Sequence, residues 1–581
     1  MARNSSPLES RAGPVRLSYV TATPMDVHSF VGQGPGQEAG DDLRGPARAE
    51  AAPERVWGRR LRQVYLWAVF GLLLFGGATF VLKSFHDVHY PFQWDDDEGN
   101  MWWEAAHATH LREGYHLLQQ FPYIVNAYPP GWHLVTWAGA RITGDYLVAG
   151  RLVSAVSGLG ISLLLGFLVF RASPRRISAR IRGAGALLTA LLCFRVDSLG
   201  RYIPRLGVDL LAVFLTLLGV FLFLRSRSKP AGHYAAFAVF VVAVFTKQTM
   251  IAAPLACLIA CALISPGAAL KRLLFCLTLG SGVLGCLAWA TDGEILRHLF
   301  FYNLRQPFSL AHWINGMQEN VIGMLPIASL ACLALLPFLY HLTSPKGGSL
   351  LRWLRAGVES SPYRQALLVL GLELVLALLI SVTYGKLGSW IHYFLEWNLV
   401  CCPLAGLVLV RALAGWRPTS RYTPGGAALF LLLFLAALTG LPDSLRRINQ
   451  VFVLSPGERY VQQVRRSSAA AVLEIIKATP GPVWCENMLL VMQAGKQIPI
   501  EPGMLCYLAK AGVWDQSGFV GLITGRKFGV IVLRNLDNPF WTTAIAHAVR
   551  ECYAPAERLG DPGVENGYYT VYRPLPECAK P

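Results

Sequence analysis

The chain has 581 residues, of which 54% are hydrophobic and 15% are charged, and this apolar excess is larger than soluble globular proteins carry. The formal net charge of +17 would indicate a nucleic-acid partner if the basic residues were clustered on a soluble domain, but they fall mostly in short segments between apolar stretches. Composition therefore argues against a soluble protein and against nucleic acid as a partner, and predicts that the lipid bilayer is one.

The amino-terminal residues 1–55 are rich in Gly, Pro, Ala, Ser and charged residues, without apolar periodicity. This composition predicts a disordered cytoplasmic tail. The first apolar stretch begins too far from the amino terminus for a typical cleavable signal, so we interpret it as an uncleaved membrane anchor.

Apolar stretches of spanning character recur along the chain and predict about eleven transmembrane helices. They lie at 66–82, 147–170, 183–199, 206–224, 234–246, 249–265, 273–290, 321–340, 365–383, 399–413 and 425–441. The stretches 183–199 and 234–246 are short against the roughly 20 residues that a straight crossing needs. The predicted fold class is an all-α polytopic membrane protein, with its membrane domain at 60–441 and a small external α/β domain at its carboxyl end.

Alternate connections between these stretches are strongly basic, which by the positive-inside rule makes them cytoplasmic. They contain Arg171, Arg175, Arg176, Arg180, Arg182, Arg225, Arg227, Lys229, Lys271, Arg272, Lys346, Arg352, Arg355, Arg364, Arg411, Arg417 and Arg421. Arg55, Arg59, Arg60 and Arg62, just before the first stretch, place the amino terminus on the same side. With an odd number of crossings, residues 442–581 emerge on the external or periplasmic side. We therefore predict a multi-pass protein of the inner or plasma membrane.

The first external loop, 83–146, contains four consecutive acids at 95–98 (Asp-Asp-Asp-Glu), which we call the acidic run. Mutual repulsion makes such a run costly, and handling a proton, a metal or a hydroxyl-bearing substrate would account for the cost. The alternative is a solvated acidic turn. The aromatic, amphipathic stretch Met101–Gly114 is predicted to lie on the membrane surface as short helices.

Short motifs in this loop and in the following helices form a set. They are Asp97-Glu98-Gly99, Glu113-Gly114-Tyr115, Tyr128-Pro129-Pro130, Gly150-Arg151-Leu152-Val153-Ser154, Arg205 to Leu211 with Asp209, and Phe245-Thr246-Lys247-Gln248-Thr249. The set resembles GT-C glycosyltransferases, in the branch with protein O-mannosyltransferases and lipid A aminoarabinose transferases. The resemblance covers residues 60–415, and two extra residues between Arg205 and Asp209 depart from the pattern.

This resemblance implies a sugar transferase that takes its donor from a polyprenyl phosphate on the outer face of the membrane. The acceptor would be an envelope glycolipid, a glycan or a protein. The expected chemistry is a single inverting displacement, in which a carboxylate takes the proton of the acceptor hydroxyl and cations hold the departing lipid phosphate.

The resemblance aligns Asp97 and Glu98 with the acidic pair of the family, so we predict Asp97 as the base and Glu98 as its partner or orienter. Asp95 and Asp96 are the alternatives for the base. A divalent metal ion is a further option, because Glu104, His107 and His110 recur at near-helical spacing. The competing interpretation is that these three side chains are simply solvated.

For the lipid phosphate we predict Lys247 first, then Arg201 and Arg205, and then Lys386 and Arg305. Each of these cations could instead be an anchor that reaches the membrane surface. The other predicted substrate-binding residues are Asp96, Tyr128, Asp209, Gln248, His392 and Glu396. Asp209 has the alternative of pairing with an arginine. His392 and Glu396 lie four residues apart, on one helical face that would line the cavity.

Beyond residue 441 the pattern changes to short strands near 482–485, 528–533 and 568–572, with helices near 457–477 and 539–551. This alternation predicts the small α/β domain, in which no catalytic constellation is recognisable. Comparable domains in GT-C enzymes resemble acceptor-binding or structural modules. Its four cysteines, in an oxidising compartment, predict one or two disulfides.

Other classes of membrane protein remain as alternatives. A transporter or flippase would favour internal repeats and charges at the bilayer midplane, and neither is detected. A polymerase or ligase of lipid-linked saccharides would place its essential residues in a large late external loop. The sequence leaves the sugar and the acceptor open.

Overall fold

The computed structural model describes residues 53–226, 229–343, 361–415, 424–538 and 540–578. The predicted disordered tail lies almost entirely outside these residues. So do several of the basic residues used for the topology, namely Arg227, Lys346, Arg352, Arg355, Arg417 and Arg421.

Helices make up almost all of the ordered structure up to residue 452. They are α1 (Pro53–Val88), α2 (Glu98–Ala106), α3 (Leu111–Gly114), α4 (Gly131–Thr143), α5 (Tyr146–Ala172), α6 (Ala179–Cys193), α7 (Asp197–Tyr202), α8 (Asp209–Ser226), α9 (Pro230–Val244), α10 (Ala252–Ile264), α11 (Pro266–Ala290), α12 (Glu294–Leu296), α13 (Leu310–Thr343), α14 (Pro362–Ile380), α15 (Leu395–Gly415), α16 (Pro424–Leu438) and α17 (Leu441–Phe452). Among the described residues, 8 helices are long and apolar enough to cross a membrane. The predicted multi-pass membrane protein is thereby confirmed.

Three of the predicted crossings fall on helices that are short for a straight span. The stretches at 183–199, 234–246 and 249–265 coincide with α6, α9 and α10, which have 15, 15 and 13 residues. A helix rises about 1.5 Å per residue, so 13 residues fall well short of a bilayer core of about 30 Å. The number of crossings therefore stays a prediction.

The membrane helices pack in pairs around one buried apolar core. α5 contacts α6 and α8, α8 contacts α9, α10 contacts α14, and α13 contacts α15. By contrast, none of the most apolar window of α11 is buried, and Leu270, Leu274 and Leu277 are exposed along it. An exposed apolar face of this length suits contact with lipid.

The segment between α1 and α5 differs from its prediction. α1 continues to Val88, beyond the predicted end of the first span. The stretch Met101–Gly114 was expected on the membrane surface, but α2 is buried against α4, α5 and the C-terminal domain. Gly99 makes this contact close, because a Cβ atom there would stand 2.3 Å from the backbone nitrogen of Leu489. The apolar side chains of α2 are therefore covered by protein.

The C-terminal domain has the predicted mixture of helices and strands. Its helices are α18 (Pro456–Ala478), α19 (Met488–Gln493), α20 (Pro502–Lys510), α21 (Ser517–Thr524) and α22 (Thr543–Cys552), and its strands are β1 (Val483–Cys485), β2 (Val530–Leu533), β3 (Tyr553–Gly560) and β4 (Tyr568–Pro574). The strand order is β1-β2-β4-β3, with β1 parallel to β2 and the other pairs antiparallel. The three predicted strands are confirmed, and β3 is an addition at the sheet edge. Its exposed, charged residues hide the apolar pattern by which strands are recognised.

One disulfide closes this domain. Cys552, at the end of α22, is bonded to Cys578. Cys485 and Cys506 are buried free thiols. The domain thus has one of the one or two predicted bridges.

Candidate functional site

The acidic run lies between α1 and α2, and three of its four side chains pair with arginines from different parts of the chain. Asp95 pairs with Arg205 before α8, Asp96 with Arg534 after β2, and Glu98 with Arg151 on α5. Asp97 forms no ion pair and no side-chain hydrogen bond with any residue that the structure describes. The run thus leaves one carboxylate unmatched.

Glu98 is fully buried and its hydrogen-bonding capacity is used by the protein. One oxygen accepts from Arg151 Nε at 3.0 Å and from the Leu206 amide at 2.9 Å. The other accepts from Arg151 Nη2 and from the Trp94 amide, both at 2.7 Å. Because each oxygen already has two donors, Glu98 holds the loop against α5. Its four hydrogen bonds fit a structural role, and its predicted role as partner or orienter of the base stays a prediction.

Asp97 occupies the N-cap position of α2. Its side chain is exposed to solvent although protein atoms surround it densely. Burial, followed by the charges of Asp95, Glu501 and Asp96, raises the pKa of Asp97 well above its usual value, and Arg205 opposes the effect. An accessible carboxylate with a raised pKa is suited to accept a proton.

A second polar cluster contains Asp209 at the start of α8, Lys247 between α9 and α10, and His392 just before α15. Lys247 is 1% exposed and forms an ion pair with Asp209, and its ammonium lies 4.9 Å from the ring of Tyr393. His392 Nδ1 lies 2.9 Å from the hydroxyl of Tyr202, and its Nε2 is buried with no hydrogen-bond partner among the residues that the structure describes. Asp209 therefore pairs with Lys247, whereas Arg201 pairs with Asp197 and Arg205 pairs with Asp95.

The Tyr-Pro-Pro motif lies against the segment that carries Lys247. Gln248 donates to the Ala127 carbonyl at 2.9 Å, and the Gly131 amide donates to the Phe245 carbonyl at 2.9 Å. These bonds place the motif around Tyr128 against the segment that carries Lys247. Burial, followed by the charges of neighbouring groups that include Asp209 and Asp97, raises the pKa of Tyr128 well above its usual value. The charges of both Asp97 and Asp209 thus act on Tyr128.

The remaining predicted cations separate into two kinds. Arg201 is an exposed residue paired with Asp197 at 2.7 Å, which fits a surface ion pair. Arg305 and Lys386, which we call the cationic pair, meet no carboxylate among the described residues. Their loops are joined, because the Leu387 amide donates to the Pro307 carbonyl at 2.9 Å and Ser309 donates to Gly385 at 2.7 Å. Burial lowers the pKa of the half-buried Lys386.

Glu396 is the second residue of α15. It is 5% exposed, and one of its oxygens has no partner in the described part of the chain. The nearby Glu373 on α14 is fully buried, and neither of its oxygens is paired with a described residue. Glu396 and the His392 Nε2 atom are therefore both buried, but His392 lies in a 3-10 turn (Ile391–Phe394) before α15, so the two residues do not share the predicted helix.

The predicted metal cluster does not form. Glu104 is buried against His133 at 3.4 Å and accepts a hydrogen bond from Asn100 at 3.0 Å. His107 contacts the Trp103 carbonyl, and His110 lies near Thr109 in an exposed turn. Within the residues described, no group of three His, Cys, Asp or Glu side chains could hold a metal ion. Helical spacing failed here because α2 ends at Ala106, before the two histidines.

No protein-family model and no curated protein matches the chain. Among solved structures, the chain is similar to ArnT from Cupriavidus metallidurans bound to undecaprenyl phosphate, with a TM-score of 0.53 and 14% identity over 88% of this chain and 100% of that one. ArnT and its neighbours in this comparison are GT-C glycosyltransferases. The chain has the GT-C fold.

Two further structures were found at lower similarity. Apo ArnT gives a TM-score of 0.49 with 16% identity, covering 88% of this chain and 99% of that one. The Archaeoglobus fulgidus oligosaccharyltransferase tethered to an acceptor peptide gives 0.42 with 11% identity, covering 85% and 74%. The assignment of the GT-C fold rests on the first comparison.

Within the GT-C fold, the site contains residues that the sequence did not single out for it. Arg151, on α5, is fully buried, and an arginine inside an apolar span is a recognisable signal because it requires a partner. Arg534 and Glu501 come from the C-terminal domain, and no local pattern marks either of them. Glu501 is 5% exposed, and burial raises its pKa to about 7.

Proposed function

We propose that this protein is a membrane glycosyltransferase that transfers a sugar from a polyprenyl-phosphate donor to an envelope glycolipid, glycan or protein. The GT-C fold supports a sugar transferase. ArnT, which shares this fold, was captured with undecaprenyl phosphate, and this supports a polyprenyl-phosphate carrier for the donor.

The observation that carries the proposal is the unmatched carboxylate of Asp97. In the proposed reaction the acceptor hydroxyl oxygen attacks the anomeric carbon of the sugar, and its proton passes to Asp97. The bond between the anomeric carbon and the phosphate oxygen breaks at the same time, and polyprenyl phosphate leaves with the bonding electrons. A displacement in one step inverts the anomeric configuration.

The cationic pair is the proposed holder of the lipid phosphate. Lys247, which the sequence ranked first, is already engaged by Asp209. Arg305 and Lys386 meet no acid in the described residues, and an ammonium whose pKa is lowered by burial gains most from an incoming anion. We therefore assign the leaving phosphate to Arg305 and Lys386, with Lys247 and Asp209 shaping the neighbouring wall.

The proposed orientation places the acidic run and the C-terminal domain outside the cytoplasm. A single-cysteine variant at exposed Thr109 should react with a membrane-impermeant maleimide in intact cells. A variant at exposed Arg176 should react only after permeabilisation. The reverse pattern would contradict the orientation.

The function is tested by mass spectrometry of envelope glycolipids and glycoproteins from cells that lack the gene. Complementation with the wild-type gene should restore one missing sugar, and Asp97→Asn should not. Asp292→Asn, at an exposed carboxylate paired with Arg112, is the matched control and should restore it. No difference between deleted and complemented cells would overturn the proposal.

A further inference from the structure

We infer that Arg534 of the C-terminal domain is a positioning residue, which holds the acidic run in place through Asp96 and thereby sets the environment of Asp97. The inference rests on the proposed function. It gives the C-terminal domain a part in the active site, although no catalytic constellation is recognisable in its sequence.

Arg534 is held by the carboxyl edge of the parallel strands. It follows β2 directly, and Glu486 follows β1 directly. The Arg534 amide donates to Glu486 Oε2 at 2.8 Å, while Nε and Nη2 donate to Glu486 Oε1 at 3.0 and 2.8 Å. Asn566, in the turn before β4, accepts from Nη1 at 2.6 Å. Residues at the ends of β1, β2 and β4 thus fix the orientation of the guanidinium.

The guanidinium also forms a bidentate ion pair with Asp96. Nη1 donates to Asp96 Oδ1 at 3.0 Å and Nη2 donates to Oδ2 at 2.9 Å. Together with the bonds to Glu486 and Asn566, all five N–H donors of Arg534 are used. Paired bonds of this kind fix orientation as well as distance, and a lysine cannot reproduce them.

Asp96 is adjacent to Asp97 in the chain, so the ion pair between Arg534 and Asp96 acts on the proposed base in two ways. It fixes the backbone immediately before Asp97, and it neutralises a carboxylate whose charge raises the pKa of Asp97. The other titratable groups that act on Asp97 or respond to its charge are Asp95, Glu501, Arg205, Glu104, Tyr128 and Tyr202. Loss of Arg534 would leave both Asp96 and Glu486 without their arginine, and the charge of Asp96 would then act on Asp97 uncompensated.

Attachment of the C-terminal domain does not depend on Arg534 alone. Tyr123 and Ile500 form a β-bridge, and the Glu501 amide donates to the Tyr123 carbonyl at 2.8 Å. α2 also packs on α19 at Gly99. A variant that lacks the ion pair between Arg534 and Asp96 should therefore keep the C-terminal domain attached.

The test measures transfer by the full-length protein in membranes, with the organic extract of gene-deleted cells as the source of unused donor and acceptor. Arg534→Gln should lower the maximal rate at least 10-fold, with less than a 2-fold change in the extract needed for the half-maximal rate. The acidic limb of the pH–rate profile should move to higher pH. Arg534→Lys should restore the position of the limb, because it keeps the charge, but not the full rate.

Two further variants make the outcome decisive. Arg550→Gln, which breaks an exposed ion pair with Asp537 in the same domain, is the control and should behave as wild type. Asp96→Asn should lower the rate and move the acidic limb to lower pH. The double variant with Arg534→Gln should have the same rate as Asp96→Asn alone. Asp96→Asn also tests the inference if the Arg534→Gln protein does not fold.

An equal loss from Arg534→Gln with and without Asp96→Asn would overturn the inference, as would a wild-type rate in either single variant. Absence of transfer by the wild-type protein in the same assay would instead refute the proposed function.

Discussion

The acidic run and the cationic pair lie in the same molecule but differ in how their charges are matched. In the run, three arginines compensate three of the four acids and leave Asp97. In the cationic pair, neither Arg305 nor Lys386 meets an acid in the described residues. Asp97 and Arg305 are exposed and Lys386 is half-buried, so an incoming substrate can reach all three charges. Accessible charges of opposite sign in two places suit the proposed reaction, in which a proton is taken at one and a phosphate is released at the other.

The largest expected effect is on the rate, from removing the unmatched acid. Asp97→Asn should lower sugar transfer about 10²- to 10⁴-fold, because general-base assistance is worth that much. Thermal stability should stay at or above that of wild type, since no described residue makes a hydrogen bond to the Asp97 side chain and burial disfavours its ionised form in the folded protein. Transfer assays with the extract of gene-deleted cells, and a melting curve of the same preparation, provide both measurements.

A matched acid of the same run should respond in the opposite way. Glu98→Gln leaves Arg151 buried without its counter-charge, and breaking a buried ion pair costs about 3–5 kcal/mol. The expected result is a large loss of folded protein, measured as yield and melting temperature. Glu113→Gln, at an exposed acid in the same loop, is the control. A Glu98→Gln protein that is stable but inactive would contradict the structural role.

The cationic pair should control binding of the lipid. Lys386→Gln should weaken binding of undecaprenyl phosphate about 10- to 100-fold, because a hydrogen bond to a charged group contributes roughly 1.5–3 kcal/mol. Binding is measured by titration of the purified protein. Arg201→Gln, in an exposed ion pair, should bind as wild type does. Equal affinity in both variants would place the phosphate elsewhere.

The smallest expected effect concerns Glu501, whose folded-state pKa of about 7 exceeds its usual value of 4.5. Its ionised form is disfavoured in the folded protein, so the stability it contributes is present below about pH 4.5 and is lost as pH rises through 7. Glu501→Gln should therefore gain about one to three degrees in melting temperature relative to wild type between pH 5 and pH 8. It should also move the acidic limb of the transfer rate to lower pH, because the charge of Glu501 raises the pKa of Asp97. An unchanged difference in melting temperature across that range would contradict the raised pKa.

The sequence predicted what depends on local pattern. Apolar stretches became helices, and the three predicted strands formed. Each of these predictions uses residues within a few positions of one another.

The parts that the sequence missed depend on distant pairings. Arg534 reaches Asp96 across 438 positions of the chain, and its local sequence marks only the end of a strand. Asp97 and Glu98 are adjacent and chemically alike. Their surroundings differ because Arg151 and the Leu206 amide, which are distant in sequence, donate hydrogen bonds to Glu98. The metal cluster was predicted from spacing on a helix that ends too early.

The central claim, that Asp97 performs the proton transfer, is tested most directly by the lipid that copurifies with the protein. Native mass spectrometry should detect spent polyprenyl phosphate on the wild-type protein and the sugar-loaded carrier on Asp97→Asn, because the variant binds the donor but does not turn it over. The same lipid on both proteins, or no loaded carrier on the variant, would contradict the claim.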